Sequence, residues 1–472
     1  MATSTKRDPD ALSDASHGST AARAPSPKRG YLIGLAAAAA VVVAGVIVVV
    51  GVDTHPDRDL LTFPEMEAPG GVALPEGVDP KAPKPGTDAL AAAVEPVLNA
   101  KPLKGKTTLT VQDGITGDSL YDAGGTEAKI PASSTKVATA AAVLAARGGG
   151  YRIPTTVVAG ENDGEVVLVA GGDVMLSAEG DGFFRGAASL ADLAEQVRKS
   201  LGDKDPKKLI VDTSLFADDP VAPGVPKGDI EAGYTAKMAP MMLDGGRSEP
   251  VAGSKAPRYD DPATAVAEVF AGQLDVDFAE GEAPQDAKQL GVVHSPTIQR
   301  LAEFALVTSD NLLADALARQ VAVAAKKEAS FAGGVEATMD VLTELEVPLD
   351  GVDLSDGSGL SLDNRLTSEA LSTIVNKAAS GKHPEISGIL SGFPVSGYSG
   401  ALDDRYDSPD VIGKVRGKTG TLDKVNSLTG MTVTADGRLL TFAVIFNGGG
   451  DYLAVTEAID KVAEALTRCG CE

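Results

Sequence analysis

Histidine is scarce in this chain, and its scarcity argues against two common kinds of catalytic site. Among 472 residues there are four histidines, at positions 17, 55, 294 and 383. They are scattered without the short spacings that join metal ligands, and they give no support for a zinc centre or a Ser-His-Asp triad. We therefore expect neither a metal ion nor another cofactor.

Cysteine is rarer still, since Cys469 and Cys471 are the only two and both fall within the last four residues. An oxidising exterior would permit a disulfide bond. A mutual bridge across so short a spacing is strained. Mutual pairing, pairing with another chain and free thiols all stay open, and we assign these residues no chemistry.

Positive charge is also in short supply, with 42 lysines and arginines against 66 acidic residues. The formal net charge is −24 and the sequence pI is about 4.6. Because phosphate backbones are bound by basic surfaces, this balance argues against nucleic acid as a partner. Solubility outside the cell is the simpler meaning of the acidic charge.

One long apolar run lies near the N-terminus. Residues 31–52 carry no charge and are long enough to cross a bilayer as a helix, at roughly 1.5 Å per residue. Five basic residues precede the run: Lys6, Arg7, Arg23, Lys28 and Arg29. The positive-inside rule makes 1–30 a cytoplasmic tail, 31–52 a single-pass anchor in the cell membrane, and the remainder extracellular. The alternative is a cleaved signal peptide and a secreted protein, but the run exceeds a usual signal core and residues 51–54 lack an Ala-x-Ala cleavage site.

The remaining chain is too long for one simple core, and its composition divides it. Residues 53–86 are rich in proline, acidic and small residues, and predict an extended spacer. Residues 151–293 contain short Val/Leu runs between Gly, Asp and Pro, and predict an inserted domain that is β-rich or mixed; examples are 165–170, 209–212 and 271–275. Residues 87–150 and 294–472 are left as a catalytic domain.

Local patterns predict the elements of the catalytic domain. Apolar residues at helical spacing predict helices, and alternating residues beside Gly- or Asp-rich turns predict hairpins. The predicted helices are 87–99, 133–147, 296–307, 311–325 and 452–468, and the predicted hairpins are 106–122 and 426–447.

Three short motifs follow one another along these elements: Ser133-Ser134-Thr135-Lys136, Ser309-Asp310-Asn311 and Lys418-Thr419-Gly420. Any one alone is weak, since a Ser-x-x-Lys is expected on the order of once by chance in a chain of ordinary composition. Together they place a serine at a helix start, a second serine between two helices and a lysine beside a strand edge.

The first motif offers a nucleophile and a base. A serine hydroxyl needs a base within about 2.6–3.2 Å, and with no suitable histidine a lysine has to serve. Ser133 and Lys136 are one helical turn apart on the same face. Lys136 acts as a base only when burial or a neighbouring positive charge lowers its pKa, and Lys418 is a candidate for that charge.

The second motif supplies two further catalytic candidates. Ser309 is a candidate proton relay to the leaving amine, and Asn311 is a candidate for fixing Lys136 and holding a substrate amide. Asp310 either takes part in the site or simply caps the following helix, and both interpretations stay open.

The third motif predicts the substrate-binding edge. Lys418 alternatively meets a substrate carboxylate, with the hydroxyls of Thr419 and Thr421 as donors. The backbone N–H groups of Ser133 and Thr421 are candidates for an oxyanion site. Gly420 lies between these residues on the same edge.

The three motifs match the signature of penicillin-binding proteins and class A β-lactamases, and further stretches narrow the resemblance. These are 131–136 (Pro-Ala-Ser-Ser-Thr-Lys), 171–173 (Gly-Gly-Asp), 356–360 (Asp-Gly-Ser-Gly-Leu), 364–367 (Asn-Arg-Leu-Thr) and 417–422 (Gly-Lys-Thr-Gly-Thr-Leu). From about residue 87 to 468, the chain resembles the D-alanyl-D-alanine carboxypeptidase and endopeptidase family of low-molecular-mass penicillin-binding proteins. Members of that family carry a large insertion between the first two motifs.

The resemblance implies a fold, a reaction and its partners. The implied fold is an α/β, transpeptidase/β-lactamase-like catalytic domain, with an antiparallel sheet, helices on both faces and a large inserted domain. The implied reaction proceeds through an acyl-enzyme on Ser133 and hydrolyses the terminal D-Ala-D-Ala bond or the peptide cross-links of peptidoglycan. The expected partners are stem peptides ending in D-Ala-D-Ala and β-lactam antibiotics.

Two other functions are compatible with parts of this pattern. A β-lactamase shares the acylation step but must also activate a deacylating water, and the long stretch between Ser133 and Ser309 argues against the compact class A arrangement. A catalytically silent cell-wall-binding protein would keep the fold as a scaffold. The intact serine, both lysines and Asn311 weigh against it, since a silent copy has no chemical reason to keep them.

Overall fold

The computed structural model describes residues 77–180, 182–217, 219–249 and 256–470. All of them belong to the same unit of the chain. The predicted tail, the predicted anchor at 31–52 and most of the predicted spacer lie outside these ranges. Within the described residues, no helix has the length and hydropathy that a bilayer crossing requires.

Nine α-helices lie in the described ranges, and seven of them begin at a residue whose side chain caps the helix. Each of these caps is a Ser, Thr or Asp that accepts a hydrogen bond from a backbone N–H in the first turn. The helices are α1 (Thr87–Leu98), α2 (Thr135–Arg147), α3 (Leu190–Leu201), α4 (Pro262–Leu274), α5 (Ile298–Thr308), α6 (Asn311–Ala324), α7 (Phe331–Glu344), α8 (Ser368–Ala379) and α9 (Tyr452–Arg468).

The strands of the described residues form two five-stranded sheets and one two-stranded pair. They are β1 (Thr107–Asp113), β2 (Ser119–Ala123), β3 (Arg152–Ala159), β4 (Glu165–Val169), β5 (Asp173–Leu176), β6 (Lys208–Asp212), β7 (Met241–Leu243), β8 (Phe278–Glu280), β9 (Gln289–Thr297), β10 (Arg416–Leu422), β11 (Val425–Val433) and β12 (Leu439–Asn447). The small pair consists of β5 and β7, which run parallel.

The first sheet is antiparallel throughout and has the strand order β10–β11–β12–β1–β2. Alternate residues of β12 enter different cores: Phe442 and Val444 pack with α1 and α9, whereas Ala443 and Ile445 pack with α8 and the other helices. Because both faces are covered, the central strands are buried without alternation. The expected antiparallel sheet with helices on both faces is confirmed.

The second sheet has the order β8–β6–β4–β3–β9 and is mixed. Its β4–β6 and β6–β8 pairs are parallel, whereas β3 pairs antiparallel with β4 and β9. Helices α3 and α4 share its core through Leu193, Val197 and Phe270. The expected β-rich or mixed insertion is therefore confirmed, while the exact domain boundaries after residues 150 and 293 stay predictions.

The observed elements match most of the local predictions and differ in four places. The helix predicted from Ser133 begins two residues later, after a 3₁₀ turn. Residues 271–275 contain the end of α4, which continues from its cap to Leu274. The third motif lies in its own edge strand, β10, because Lys424 adopts a left-handed turn (φ 60°) before β11 begins. Helices α7 and α8 have no counterpart among the predicted elements.

The end of the predicted spacer, residues 77–86, contacts the first sheet. Arg438 donates from Nη1 to the carbonyls of Pro80 at 2.7 Å and Ala82 at 3.2 Å. The same guanidinium forms a buried ion pair with Asp113. This part of the spacer is therefore held against the sheet, where free extension was expected.

Candidate active site

Ser133 lies in a tight turn at the start of α2. The preceding Ala132 has a left-handed backbone, with φ 51°, which costs of the order of 1–3 kcal/mol and persists only where the surroundings enforce it. Strand β11 enforces it, because Ser427 Oγ donates to the Pro131 carbonyl at 2.7 Å and lies 2.8 Å from Ser134 Oγ. These bonds hold the half-buried Ser133 side chain at the wall of a cleft.

Lys136 is buried, and its Nζ has three oxygen neighbours. It lies 3.0 Å from Ser133 Oγ, 2.6 Å from Asn311 Oδ1 and 2.7 Å from the Ser358 carbonyl. The last two oxygens only accept hydrogen bonds, so they take two N–H bonds from the nitrogen in either protonation state. A neutral amine has no third N–H, and its lone pair therefore faces the Ser133 hydroxyl.

The surroundings of Lys136 prepare it for proton transfer. Burial lowers the pKa of Lys136 from its ordinary 10.5 to about 8, because the ammonium loses its hydration. The nearby carboxylates of Asp315, Asp356 and Asp310 act in the opposite direction. Lys136 can therefore act as a base near neutral pH, and the carboxylates stabilise the ammonium once the proton has arrived.

The second motif occupies the joint between α5 and α6, as the sequence predicted. Ser309 adopts a left-handed backbone (φ 57°) between the two helices, and Asp310 caps α6. Asn311 is the first residue of α6, and its Nδ2 donates to the carbonyl of Tyr234 at 2.9 Å. That bond fixes the amide orientation, so that Oδ1 faces Lys136.

Strand β10 places Lys418 against the second motif. Lys418 Nζ donates to Ser309 Oγ at 3.0 Å and to the Thr419 carbonyl at 2.8 Å. Burial and the nearby Lys136 hold the pKa of Lys418 well below its ordinary value. Ser309 lines the cleft and Lys418 is buried behind it, so the Ser309 hydroxyl lies between the Lys418 Nζ and the cleft.

The glycine of the third motif is required by the packing of β10 on the nucleophile turn. A Cβ at Gly420 would collide with Ser427 Oγ and with the Pro131 carbonyl. The edge strand thus lies directly beside the turn that carries Ser133.

A glycine-rich loop, residues 356–361, supplies the Ser358 carbonyl that accepts from Lys136. Asp356 organises the loop by accepting from the Gly359 N–H at 2.6 Å. Gly359 has φ +80° and approaches the Ala132 carbonyl so closely that a Cβ would collide with it. Motif reasoning missed the Ser358 contact, because a backbone carbonyl has no side-chain signature. Only the likeness of the Asp-Gly-Ser-Gly stretch to the family could have indicated it.

A cleft of about 750 Å³ opens beside Ser133, and its volume lies within the usual size range of ligand sites. The catalytic motifs contribute Ser133, Ser309, Asn311 and Thr421 to its walls. The predicted inserted region contributes lining residues that the motifs did not indicate: Phe183, Pro226, Asp229, Tyr234, Arg247 and Arg258. The inserted region therefore forms part of the cleft.

The structure brings the predicted site residues together. The first group is Ser133, Lys136 and Asn311, and the second group, joined to it at the α5–α6 joint, is Ser309 and Lys418. Of the remaining predicted residues, Thr421 is exposed on the cleft wall, whereas Thr419 and Gly420 are buried behind it. The catalytic and binding roles given to these eight residues stay predictions.

The chain is similar in sequence to known proteins over most of its length. The family model described as the D-Ala-D-Ala carboxypeptidase 3 (S13) family matches residues 90–269 and 253–469. A carboxypeptidase of Mycobacterium tuberculosis is 38% identical over 410 residues, covering 84% of this chain and 88% of the relative. Carboxypeptidase DacB of Mycolicibacterium smegmatis is 37% identical over 407 residues, covering 84% and 87%.

Among solved structures, penicillin binding protein 4 of Haemophilus influenzae has the same fold. The TM-score is 0.65 at 20% identity, and the match covers 81% of this chain and 99% of that one. The chain therefore belongs to the D-Ala-D-Ala carboxypeptidase 3 (S13) family of peptidases.

Proposed function

We propose that the protein is a serine-type D-Ala-D-Ala carboxypeptidase, with DD-endopeptidase activity at the same site, that acts on peptidoglycan stem peptides through an acyl-enzyme on Ser133. One observation carries the proposal: Lys136 Nζ lies 3.0 Å from Ser133 Oγ. Its other two neighbours, Asn311 Oδ1 and the Ser358 carbonyl, are hydrogen-bond acceptors. Family membership supports the substrate class. β-Lactams would acylate the same serine and remain covalently bound.

The proposed acylation step moves two protons. Ser133 Oγ bonds to the carbonyl carbon of the penultimate D-alanine while its proton passes to Lys136. The C–N bond then breaks, and the leaving amine takes a proton from Ser309, which is replenished by Lys418 at 3.0 Å. Water then attacks the ester carbonyl: its hydroxyl bonds to the acyl carbon while its other proton returns through Ser309 to Lys418. The ester C–O bond breaks, and Ser133 recovers its proton from Lys136, so both lysines return to their starting states.

The edge strand β10 is the proposed binding side. Thr421 is exposed in the cleft and is positioned to donate to the terminal carboxylate. Lys418 would add positive charge from behind Ser309 in its protonated form, and Thr419 and Gly420 are the buried residues of the strand between Lys418 and Thr421. The backbone N–H groups of Ser133 and Thr421 are the proposed donors to the oxyanion, a kind of contact worth roughly 3–4 kcal/mol per donor.

The proposed location is outside the cell, on a single-pass membrane anchor at residues 31–52. The uncharged run and the basic residues before it support this topology. Cell fractionation tests it: the full chain should sediment with membranes and a chain lacking residues 1–52 should not. If cells that express the full chain instead release a protein cleaved after the apolar run into the medium, secretion is supported.

Two substrates test the proposed activity and distinguish carboxypeptidase activity from endopeptidase activity. The purified full chain should release D-alanine from a pentapeptide ending in D-Ala-D-Ala, and should cleave a cross-linked peptide dimer at the D-Ala bond. A pentapeptide ending in L-Ala-L-Ala is the matched substrate control and should stay intact. Loss of both activities in Ser133→Ala, with the fold retained, is the expected result; hydrolysis of neither substrate by the wild type would contradict the proposal.

A further inference from the structure

A buried ion pair connects the predicted inserted region to the second motif. Arg247 Nη2 lies 3.0 Å from Asp310 Oδ2, and the two side chains are 1% and 5% exposed. Arg247 also donates from Nη1 to the Asp244 carbonyl at 2.9 Å, and its guanidinium carbon lies 3.6 Å from the centre of the Phe183 ring. The guanidinium is thus fixed by the inserted region on one side and directed at the motif on the other.

Asp310 uses both of its carboxylate oxygens. Oδ1 accepts from the Leu313 N–H at 3.0 Å and caps α6, while Oδ2 faces the guanidinium. Its two chain neighbours are Ser309, which contacts one buried lysine, and Asn311, which contacts the other. A displacement of Asp310 would therefore move both contacts at once. The helix cap expected as one alternative is therefore confirmed, and the same side chain also contacts Arg247.

One member of the pair, Asp310, is among the carboxylates that raise the pKa of Lys136. The titratable groups near Lys136 are Asp310 and Asp315 on α6, Asp356 on the glycine-rich loop and Lys418 on β10. Burial raises the pKa of Asp315 well above its ordinary value. Asp244 and Arg258 face the ion pair itself. The Asp310 carboxylate favours the ammonium form of Lys136, and the cation of Arg247 beside it offsets that influence.

We infer that Arg247 is a positioning residue for acylation: it holds Asp310, and with it Ser309 and Asn311, against the two buried lysines and balances the Asp310 charge. The inference rests on the proposed function. It makes the inserted region a support of the active site, because removing Arg247 would leave the Asp310 carboxylate buried beside its helix cap without this cation.

A four-member series measures both parts of the role. Wild type, Arg247→Met, Asp310→Asn and the double variant are mixed with a chromogenic cephalosporin, and the acylation rate and initial affinity are followed by stopped flow from pH 6 to pH 10. Asparagine caps helices as well as aspartate, so Asp310→Asn keeps α6. Each single variant should acylate about tenfold or more slowly with affinity changed much less, and the double variant should recover part of the loss.

The pH midpoint of acylation distinguishes a residue that positions the site and balances its charge from a residue that only stabilises the fold. Asp310→Asn should move the midpoint to lower pH, because the Lys136 ammonium loses a counter-charge. Arg247→Met should move it to higher pH, because the Asp310 charge is no longer balanced, and the double variant should fall between them. Arg247→Lys keeps the charge but not the fork of donors, so it should slow acylation and leave the midpoint in place.

A second buried ion pair provides the matched control. The side chains of Arg438 and Asp113 are 5% and 0% exposed, and Arg438 Nη2 lies 2.7 Å from Asp113 Oδ2. Asp113 is the last residue of β1, and Arg438 directly precedes β12. Arg438→Met should lower the melting temperature without moving the pH midpoint.

Three results decide between failure of the inference and failure of the proposed function. No acylation of the wild type would refute the function itself. If the wild type is active, either of two results would refute the role of Arg247. The first is the same pH midpoint in all four proteins. The second is a fold-loss of acylation rate in the double variant equal to the product of the fold-losses of the two single variants. Should Arg247→Met not fold, Asp310→Asn and Arg247→Lys decide the question through the same midpoints.

Discussion

The burial of Lys136 predicts how acylation depends on pH. The pKa of Lys136 lies at about 8 instead of 10.5 because its ammonium is desolvated, so the neutral base forms as the pH rises through 8. The acylation efficiency of the free enzyme should therefore rise with pH and level off above that midpoint. The sign follows from the base: protonated Lys136 has no lone pair for the Ser133 proton.

The magnitude can be worked from the same values. At pH 7 a pKa of about 8 leaves ~9% of Lys136 neutral, whereas the ordinary 10.5 would leave ~0.03%. The gain in active base is roughly 300-fold, equivalent to roughly 3 kcal/mol. Between pH 6 and pH 9 the acylation efficiency should rise about 90-fold, nearly all of it below the plateau.

Stopped-flow acylation by a chromogenic cephalosporin, corrected for spontaneous hydrolysis, measures this profile. Lys136→Arg keeps a cation that cannot deprotonate, and should lose acylation at every pH. Lys418→Arg is the comparison variant: it removes the proposed proton donor to Ser309 but leaves Lys136 in place, so acylation should be slower while its rate still rises with pH. Three results would refute the assignment of Lys136 as the base. They are an acylation rate that does not change from pH 6 to 9, a midpoint near 10.5, and a rise with pH that disappears only in Lys418→Arg.

Three further substitutions test the remaining contacts. Ser309→Ala removes the hydroxyl between Lys418 and the cleft, and acylation by a peptide substrate should fall by about 10²- to 10⁴-fold in single-turnover assays. Gly420→Ala forces a Cβ against the Pro131 carbonyl, so circular dichroism should show a folded protein that no longer binds labelled penicillin. Lys418→Gln should weaken a peptide with a free terminal carboxylate by about tenfold more than its amide in competition assays; equal effects would exclude carboxylate recognition.

The sequence predicts the catalytic motifs well because each is local. Ser133 and Lys136 meet because they are a helical turn apart, and the joint at Ser309 follows from two adjacent helical patterns. Short-range periodicity and turn residues likewise predict the hairpin of β11 and β12 and the final helix α9. The meeting of the three motifs was expected only from their match to a known signature, because the contacts between them span 109 and 175 residues.

The supporting contacts were not predictable from the same sequence. Arg247 and Asp310 are 63 residues apart, and no local pattern relates them. The carbonyls of Ser358 and Tyr234 act through the backbone, so the identity of their side chains carries no signal. The cleft walls contributed by the inserted region depend on how two separately built sheets meet, which is a matter of tertiary packing.

The most direct test of the central claim is mass spectrometry of the full chain after incubation with benzylpenicillin. We expect one covalent adduct, mapped by proteolysis to Ser133, on the wild type. The neighbouring serine is the matched control: Ser134→Ala should still carry the adduct, whereas folded Ser133→Ala should carry none. An unmodified wild type, an adduct mapped to another residue, or an adduct that persists in Ser133→Ala would contradict the acyl-enzyme on Ser133.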